Sequence, residues 1–155
     1  MKRFFYSLYA LFFNLSRILP VKENRIAFVA PHNGGSKDSL GTVRTYAEKN
    51  GGYDIVTIST RDLVLDKSNI KNLISSCLKA AGFFTLKAKA LATSKYVFLN
   101  DNFMPMAKLK FSKKAVITQL WHAEGAFKKF GLSAPLTDDV RVRENKCSAN
   151  LTYIV

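Results

Sequence analysis

The sequence predicts an α/β fold: a Rossmann-like, largely parallel sheet preceded by an amphipathic N-terminal helix. Three observations predict it. Short apolar runs of strand type recur at 25–30, 54–58, 96–99, 115–120 and 152–155. Helix-periodic stretches alternate with them, and strands that alternate with helices form parallel sheets through crossover connections. The chain has 155 residues, 48% of them apolar, which suffices for one ordinary domain with a real core.

Residues 1–20 form the first element. Arg3, Ser7, Ala10, Asn14 and Arg17 recur at helical spacing as one narrow polar stripe, and Phe4, Phe5, Leu8, Tyr9, Leu11, Phe12, Phe13, Leu15, Ile18 and Leu19 cover the rest. The apolar stretch falls short of the ~20 residues that span a bilayer. A wide aromatic face with Lys2, Arg3 and Arg17 suits a helix lying among lipid headgroups. A buried core helix and a signal peptide are the competing readings, although no small-x-small cleavage site follows.

The remainder, 21–155, reads as the Rossmann-like domain. Arg25–Ala30 is the first strand. A loop, Pro31–Ser36, leads to a helix near Leu40–Lys49, capped by Asp38 or Ser39 and stopped by Asn50-Gly51-Gly52. Asp54–Ile58 is the second strand. Ser68 or Asn69 caps a helix whose apolar positions are Ile70, Leu73, Ile74, Cys77, Leu78 and Ala81, with Lys71 and Lys79 outside; Gly82 is expected to break it, and Phe83–Thr93 to resume it. Tyr96–Leu99 and Ala115–Leu120 are the third and fourth strands. Asp138–Ser148 is a helix with Thr137 as cap, and Thr152–Val155 opens a fifth strand. The chain stops inside that apolar run, where natural domains rarely end, so a longer protein is expected.

The charge is lopsided, with 24 Lys and Arg against 11 Asp and Glu, net +13. Such a surface favours polyanions: nucleic acid, phosphorylated polymers, nucleotides or acidic lipid headgroups. Nucleic-acid binding wants aromatics interleaved with Lys or Arg on one surface. Here Tyr96, Phe98 and most other aromatics sit in apolar runs, which argues against it. Cys77 and Cys147 are far apart and show neither metal-ligand spacing nor a disulfide framework, so no metal site is expected.

Ligands of open α/β sheets bind beyond the carboxyl ends of the strands. That edge should collect His32-Asn33-Gly34-Gly35, Ser59-Thr60-Arg61, Asn100-Asp101-Asn102 and Trp121-His122. His122, at the tip of the fourth strand, could take a proton from a hydroxyl near neutral pH; the alternative is an imidazole satisfied by a local carbonyl. Asp101 could orient or charge-stabilise that imidazole if the two strands are adjacent; otherwise it is a turn residue bonding its own backbone. Glu124 is too close in sequence to reach back easily. Gly34 and Gly35 allow backbone N–H groups to approach an anion, or form a simple turn. The stretch is neither G-x-G-x-x-G nor a Walker loop, so no dinucleotide or ATP cofactor is implied. His32 is a weaker base than His122 by position. Lys128 and Lys129 could hold a phosphate beside His122 or form a solvated face.

Gln119-Leu120-Trp121-His122, followed by Gly125-Ala126-Phe127-Lys128-Lys129-Phe130-Gly131, resembles the Trp-His-Gly region of the CDP-glycerol glycerophosphotransferases of teichoic acid synthesis; Ala123 stands where many members carry Gly. Tyr96–Phe103, with Asn100-Asp101-Asn102, and Cys147–Val155 resemble the stretches on either side of that motif. The resemblance implies the N-terminal, acceptor-binding domain of a glycosyltransferase-B fold, at the cytoplasmic face of a bacterial membrane and held there peripherally. It implies a missing C-terminal domain that binds CDP-glycerol, and no cofactor. His122 would deprotonate the hydroxyl of a lipid-linked or polymeric phosphate-containing acceptor. That hydroxyl would attack the β-phosphate and release CMP, with Trp121, Gly125, Lys128, Lys129, Asn100, Asn102, His32, Gly34 and Gly35 around the substrates. CDP-ribitol is an alternative donor. A membrane- or acceptor-binding fragment without turnover is the alternative function.

Overall fold

The computed structural model describes residues 2–30, 38–101, 103–120, 135 and 137–155. Its centre is a five-stranded sheet: β1 (Lys22–Val29), β2 (Asp54–Ile58), β3 (Ser94–Leu99), β4 (Val116–Gln119) and β5 (Tyr153–Ile154), in the order β2-β1-β3-β4-β5. Every pairing is parallel, with Val29 opposite both Ile58 and Leu99, and Leu99 opposite Gln119. β1 begins three residues earlier than its apolar run, at Lys22. Its polar start is recruited by pairing rather than propensity: the Lys22 N–H donates to the Thr93 carbonyl at 2.9 Å, and a register shift separates Lys22 from Ile26.

Side chains alternate across a strand, and β1 divides its residues accordingly. Ala27 and Val29 join Tyr9, Phe13, Ile58, Leu91, Val97, Leu99, Phe103 and Ile117 in the larger core. Ile26, Phe28 and Ala30 face the other way, onto Leu40 and Ala47 of α2 (Ser39–Asn50), with Phe28 stacked on Phe98. The larger core is covered by α1 (Lys2–Ser16), by α4 (Ala88–Ala92) and by the 3-10 turn Met104–Lys108.

The N-terminal helix is buried on one side and exposed on the other. Tyr9, Ala10 and Phe13 are buried, whereas Phe4, Leu11, Leu15 and Ile18 are exposed. Members of the narrow polar stripe face the protein: Asn14 donates to the Lys108 carbonyl at 3.2 Å and accepts from the Lys110 N–H at 3.1 Å, and Ser7 Oγ accepts from Lys108 Nζ at 2.6 Å. Asn14 thus satisfies backbone groups that the 3-10 turn leaves without a ladder.

Gly82 does not end the third helix, as its position had suggested. α3 (Ile70–Gly82) continues through a π-helical turn, Phe83–Lys87, into α4. A glycine in helical conformation costs only about 1 kcal/mol relative to alanine, and the turn buries Phe83 in return. The apolar stripe of α3 also points outward. Ile70, Ile74 and Leu78 are exposed, and Ser76 is the buried position, its hydroxyl accepting from the Asp66 N–H at 3.2 Å.

At the amino-terminal edge, Arg25 ties β1 to β2 with Nε 2.8 Å from Asp54 Oδ2 and Nη1 2.7 Å from Thr93 Oγ1. That hydrogen bond holds the Asp54 carboxyl below its ordinary value of 3.8. On α5 (Asp138–Ser148), Cys147 is buried, and burial, helped by Glu144, pushes its thiol from 9.0 up to about 11. Cys77 is exposed. A thiol reagent at pH 8 is therefore expected to titrate Cys77 quickly and Cys147 only on unfolding, since the thiolate reacts. Above pH 9 the unfolded state gives up the Cys147 proton while the folded state keeps it. This contribution to stability is complete below pH 9 and is lost as pH rises towards 11, which urea melts across that range measure in the protein against Cys147→Ala.

Candidate functional site

Because all five strands are parallel, their carboxyl ends share one edge. The strand order reverses direction at β1 and β3: the chain goes from β1 outward to β2, then returns past β1 to β3 and continues through β4 to β5. This is the order 2-1-3-4-5, whose crevice for ligands opens between β1 and β3.

The structure spans that crevice with one polar link. Asn100, immediately after β3, is 5% exposed and donates from Nδ2 to Asp38 Oδ2. Asp38 is the N-cap of α2: its Oδ1 accepts from the Gly41 N–H at 2.9 Å, and its carbonyl accepts from the Thr42 N–H at 3.0 Å. A carboxylate at a helix N-terminus satisfies an orphan donor and complements the helix dipole. The same side chain thereby fixes α2 to the end of β3 across 62 positions of sequence. Sequence reading named Asp38 only as a cap. No local signal pairs it with Asn100, because the contact is created by the strand order.

Asp101 follows Asn100, half-buried and already engaged in interactions. Its strand lies beside β4, as the role of orienting His122 requires: the Leu120 N–H donates to the Leu99 carbonyl at 2.7 Å, at the exit of both strands. His122 follows Leu120 by two positions. His122 itself, with Trp121, Gly125, Lys128, Lys129, Asn102, His32, Gly34 and Gly35, lies outside the described residues. After β2, Ser59 Oγ accepts from the Arg61 N–H at 3.3 Å and caps the 3-10 turn Thr60–Leu63, with Arg61 exposed at the same edge. Among the described residues, no three His, Cys, Asp or Glu side chains come together as a metal site, and no helix is long and apolar enough to cross a membrane.

Comparison with known proteins gives this edge a context. Residues 11–154 match the family described as CDP-Glycerol:Poly(glycerophosphate) glycerophosphotransferase. The chain is 30% identical over 130 residues to the teichoic acid poly(ribitol-phosphate) polymerase of Bacillus spizizenii, covering 82% of this chain and 19% of that protein. It is 29% identical over 119 residues to the teichoic acid ribitol-phosphate primase of the same organism, covering 77% of this chain and 28% of the other. The chain thus spans less than a third of either relative. Among solved structures, the wall teichoic acid polymerase TagF superposes with a TM-score of 0.64 at 16% identity, over 97% of this chain and 35% of that one. A second TagF structure gives 0.58 at 17% identity over 97% and 36%. The five-stranded parallel sheet therefore shares its fold with part of TagF, a glycosyltransferase-B-type protein. The match across nearly the whole sequence decides membership: the chain belongs to the CDP-glycerol:poly(glycerophosphate) glycerophosphotransferase family of teichoic acid biosynthesis.

Proposed function

We propose that this chain supplies the acceptor side of a polyol-phosphate transfer, as the N-terminal part of a teichoic-acid-type glycerophosphotransferase. The observation that carries the reading is the family match over 11–154, which includes the exit of β4 and with it Trp121-His122. His122 takes the proton from an acceptor hydroxyl, and Asp101, on the neighbouring strand, orients the imidazole. The hydroxyl oxygen forms a bond to the β-phosphorus of CDP-glycerol, the bond to the bridging oxygen breaks, and CMP leaves with that electron pair. Charge develops on the transferred phosphoryl oxygens, and Lys128 and Lys129 answer it, as phosphoryl transfer requires. The donor is held by a C-terminal domain beyond this chain.

A second reading concerns the donor. Both Bacillus relatives carry ribitol-phosphate in their names, which supports CDP-ribitol. The native-length protein is tested with CDP-glycerol and CDP-ribitol on a lipid-linked acceptor. Release of CMP from one in clear preference assigns the donor, and release from neither leaves a non-catalytic acceptor-binding role.

Peripheral membrane attachment is the second part of the reading. Phe4, Leu11 and Leu15 on α1 and Ile18 just after it are exposed, and the net charge of +13 favours an anionic headgroup surface. Leu11→Glu with Leu15→Glu is expected to weaken binding to anionic vesicles by about tenfold or more, since each leucine contributes about 1.5–3 kcal/mol when buried. Co-sedimentation checks this, and unchanged binding of the double variant removes α1 as the contact.

A further inference from the structure

An apolar pocket of about 120 Å³ lies between the first half of α1 and the turns that leave β2 and β3. Phe5, Tyr9, Leu63, Phe84, Met104 and Pro105 supply most of its wall. Leu63 belongs to the turn after β2, and Met104 and Pro105 to the turn after β3. The pocket therefore lies beside the turns at the carboxyl edge of the sheet. The π-helical turn shapes it: Phe83 and Phe84, consecutive in sequence, both line the pocket, and Phe84 stacks on Phe5 at 6.0 Å. π-Turns within helices are frequent at functional sites.

The lining is largely apolar, its polar groups coming from Tyr6, Tyr9 and Thr60, and a bound water needs two to four polar partners. A cavity of roughly 150 Å³ with apolar walls takes one benzene, so this one takes a short hydrocarbon segment and not a whole lipid. Cations adjoin its lining in the chain, and Lys108 ends the same turn that supplies Met104 and Pro105. Arg61 follows the lining residue Thr60, and Lys108 is held by Ser7, next to the lining residue Tyr6. Both are exposed. A largely apolar pocket with cations on residues adjoining its lining, at the sheet edge proposed for phosphate chemistry, matches an amphiphile with a phosphate head.

We propose that the pocket between α1 and the turns after β2 and β3 holds the phosphate-proximal carbons of the hydrocarbon tail of a lipid acceptor, with Arg61 and Lys108 beside its phosphate. This rests on the acceptor reading above and adds to it a tail-binding subsite distinct from the exposed side of α1.

The test is calorimetric titration of the native-length protein, without donor or vesicles, using inorganic phosphate, a five-carbon prenyl phosphate and a ten-carbon prenyl phosphate below its aggregation threshold. Affinity is expected to rise about fourfold for each methylene the pocket covers, and then to level off once it is full. Met104→Trp and Leu63→Trp, which fill the pocket from opposite sides, are expected to abolish that dependence with unchanged circular dichroism. Inorganic phosphate binding as tightly as the prenyl phosphates overturns the proposal, as does no binding of either prenyl phosphate. The chain-length series on the unaltered protein decides the matter even if both tryptophan variants misfold. Tail binding without CMP release would sink the transferase reading and leave the pocket standing. Turnover indifferent to tail length would do the reverse.

Discussion

His122→Ala in the native-length protein is expected to lower CMP release by about 10²–10⁴-fold, the usual contribution of a positioned general base. The melting temperature should stay unchanged, because the residue lies beyond the last ladder bond of β4, where the Leu120 N–H meets the Leu99 carbonyl. The pH profile sharpens the test. A base must be unprotonated, so the rate of the unaltered protein should fall on the acid side of about pH 6.5, the ordinary histidine value. The residual rate of His122→Ala should lose that limb. With Asp101 in the proposed orienting role, Asp101→Asn should cost less and shift the limb to lower pH, since a neutral amide no longer favours the imidazolium. If His122→Ala retains its rate and its acid limb, the base is another group.

Phe13→Ala is expected to destabilise the domain by about 3–5 kcal/mol, a large part of the roughly 5–15 kcal/mol available to a typical domain. The ring is 0% exposed and packs edge-on against Phe111 at a centroid distance of 4.8 Å. Leu15→Ala, two positions along the same helix, should change stability by only a few tenths of a kcal/mol, because Leu15 is 58% exposed. Urea unfolding of the pair reads the two faces of α1 directly. Equal losses would mean that the exposed side is covered by structure beyond this chain.

Where sequence reading succeeded, the signal was periodic. β2 was legible to the residue, and α5 emerged at its predicted bounds because Thr137 and two aspartates mark its start. The parallel sheet followed from alternation alone. The failures share a cause: each needed knowledge of what lies opposite. Hydrophobic periodicity reveals that a helix has an apolar stripe but not that the stripe faces inward. In α1 the aromatic coverage is so wide that Tyr9 and Phe13 could be buried on one side while Leu11 and Leu15 remained outside. In α3 helical spacing groups Ile70, Ile74 and Leu78 as an apolar stripe, yet they are exposed and Ser76 faces inward, its hydroxyl accepting from the Asp66 N–H. At the site, Asn100 and Asp101 are legible as polar loop residues at a strand end. The bond from Asn100 to Asp38 was invisible, since only the placement of β3 beside β1 brings these positions together.

The π-turn at Phe83–Lys87 has a bearing on length. A π-turn carries one residue more than the α-turn it replaces, and each residue in a helix advances the face by ~100°. The long run from Ile70 to Ala92 therefore holds one surplus residue, absorbed locally. Dropping a single residue between 83 and 87 would heal the ladder and leave α3 and α4 where they stand. It would not leave two successive aromatic rings turned to the same side. The segment is spare in its count yet constrained in its contents, so a one-residue deletion here should be borne by the fold and felt first by the aromatic wall.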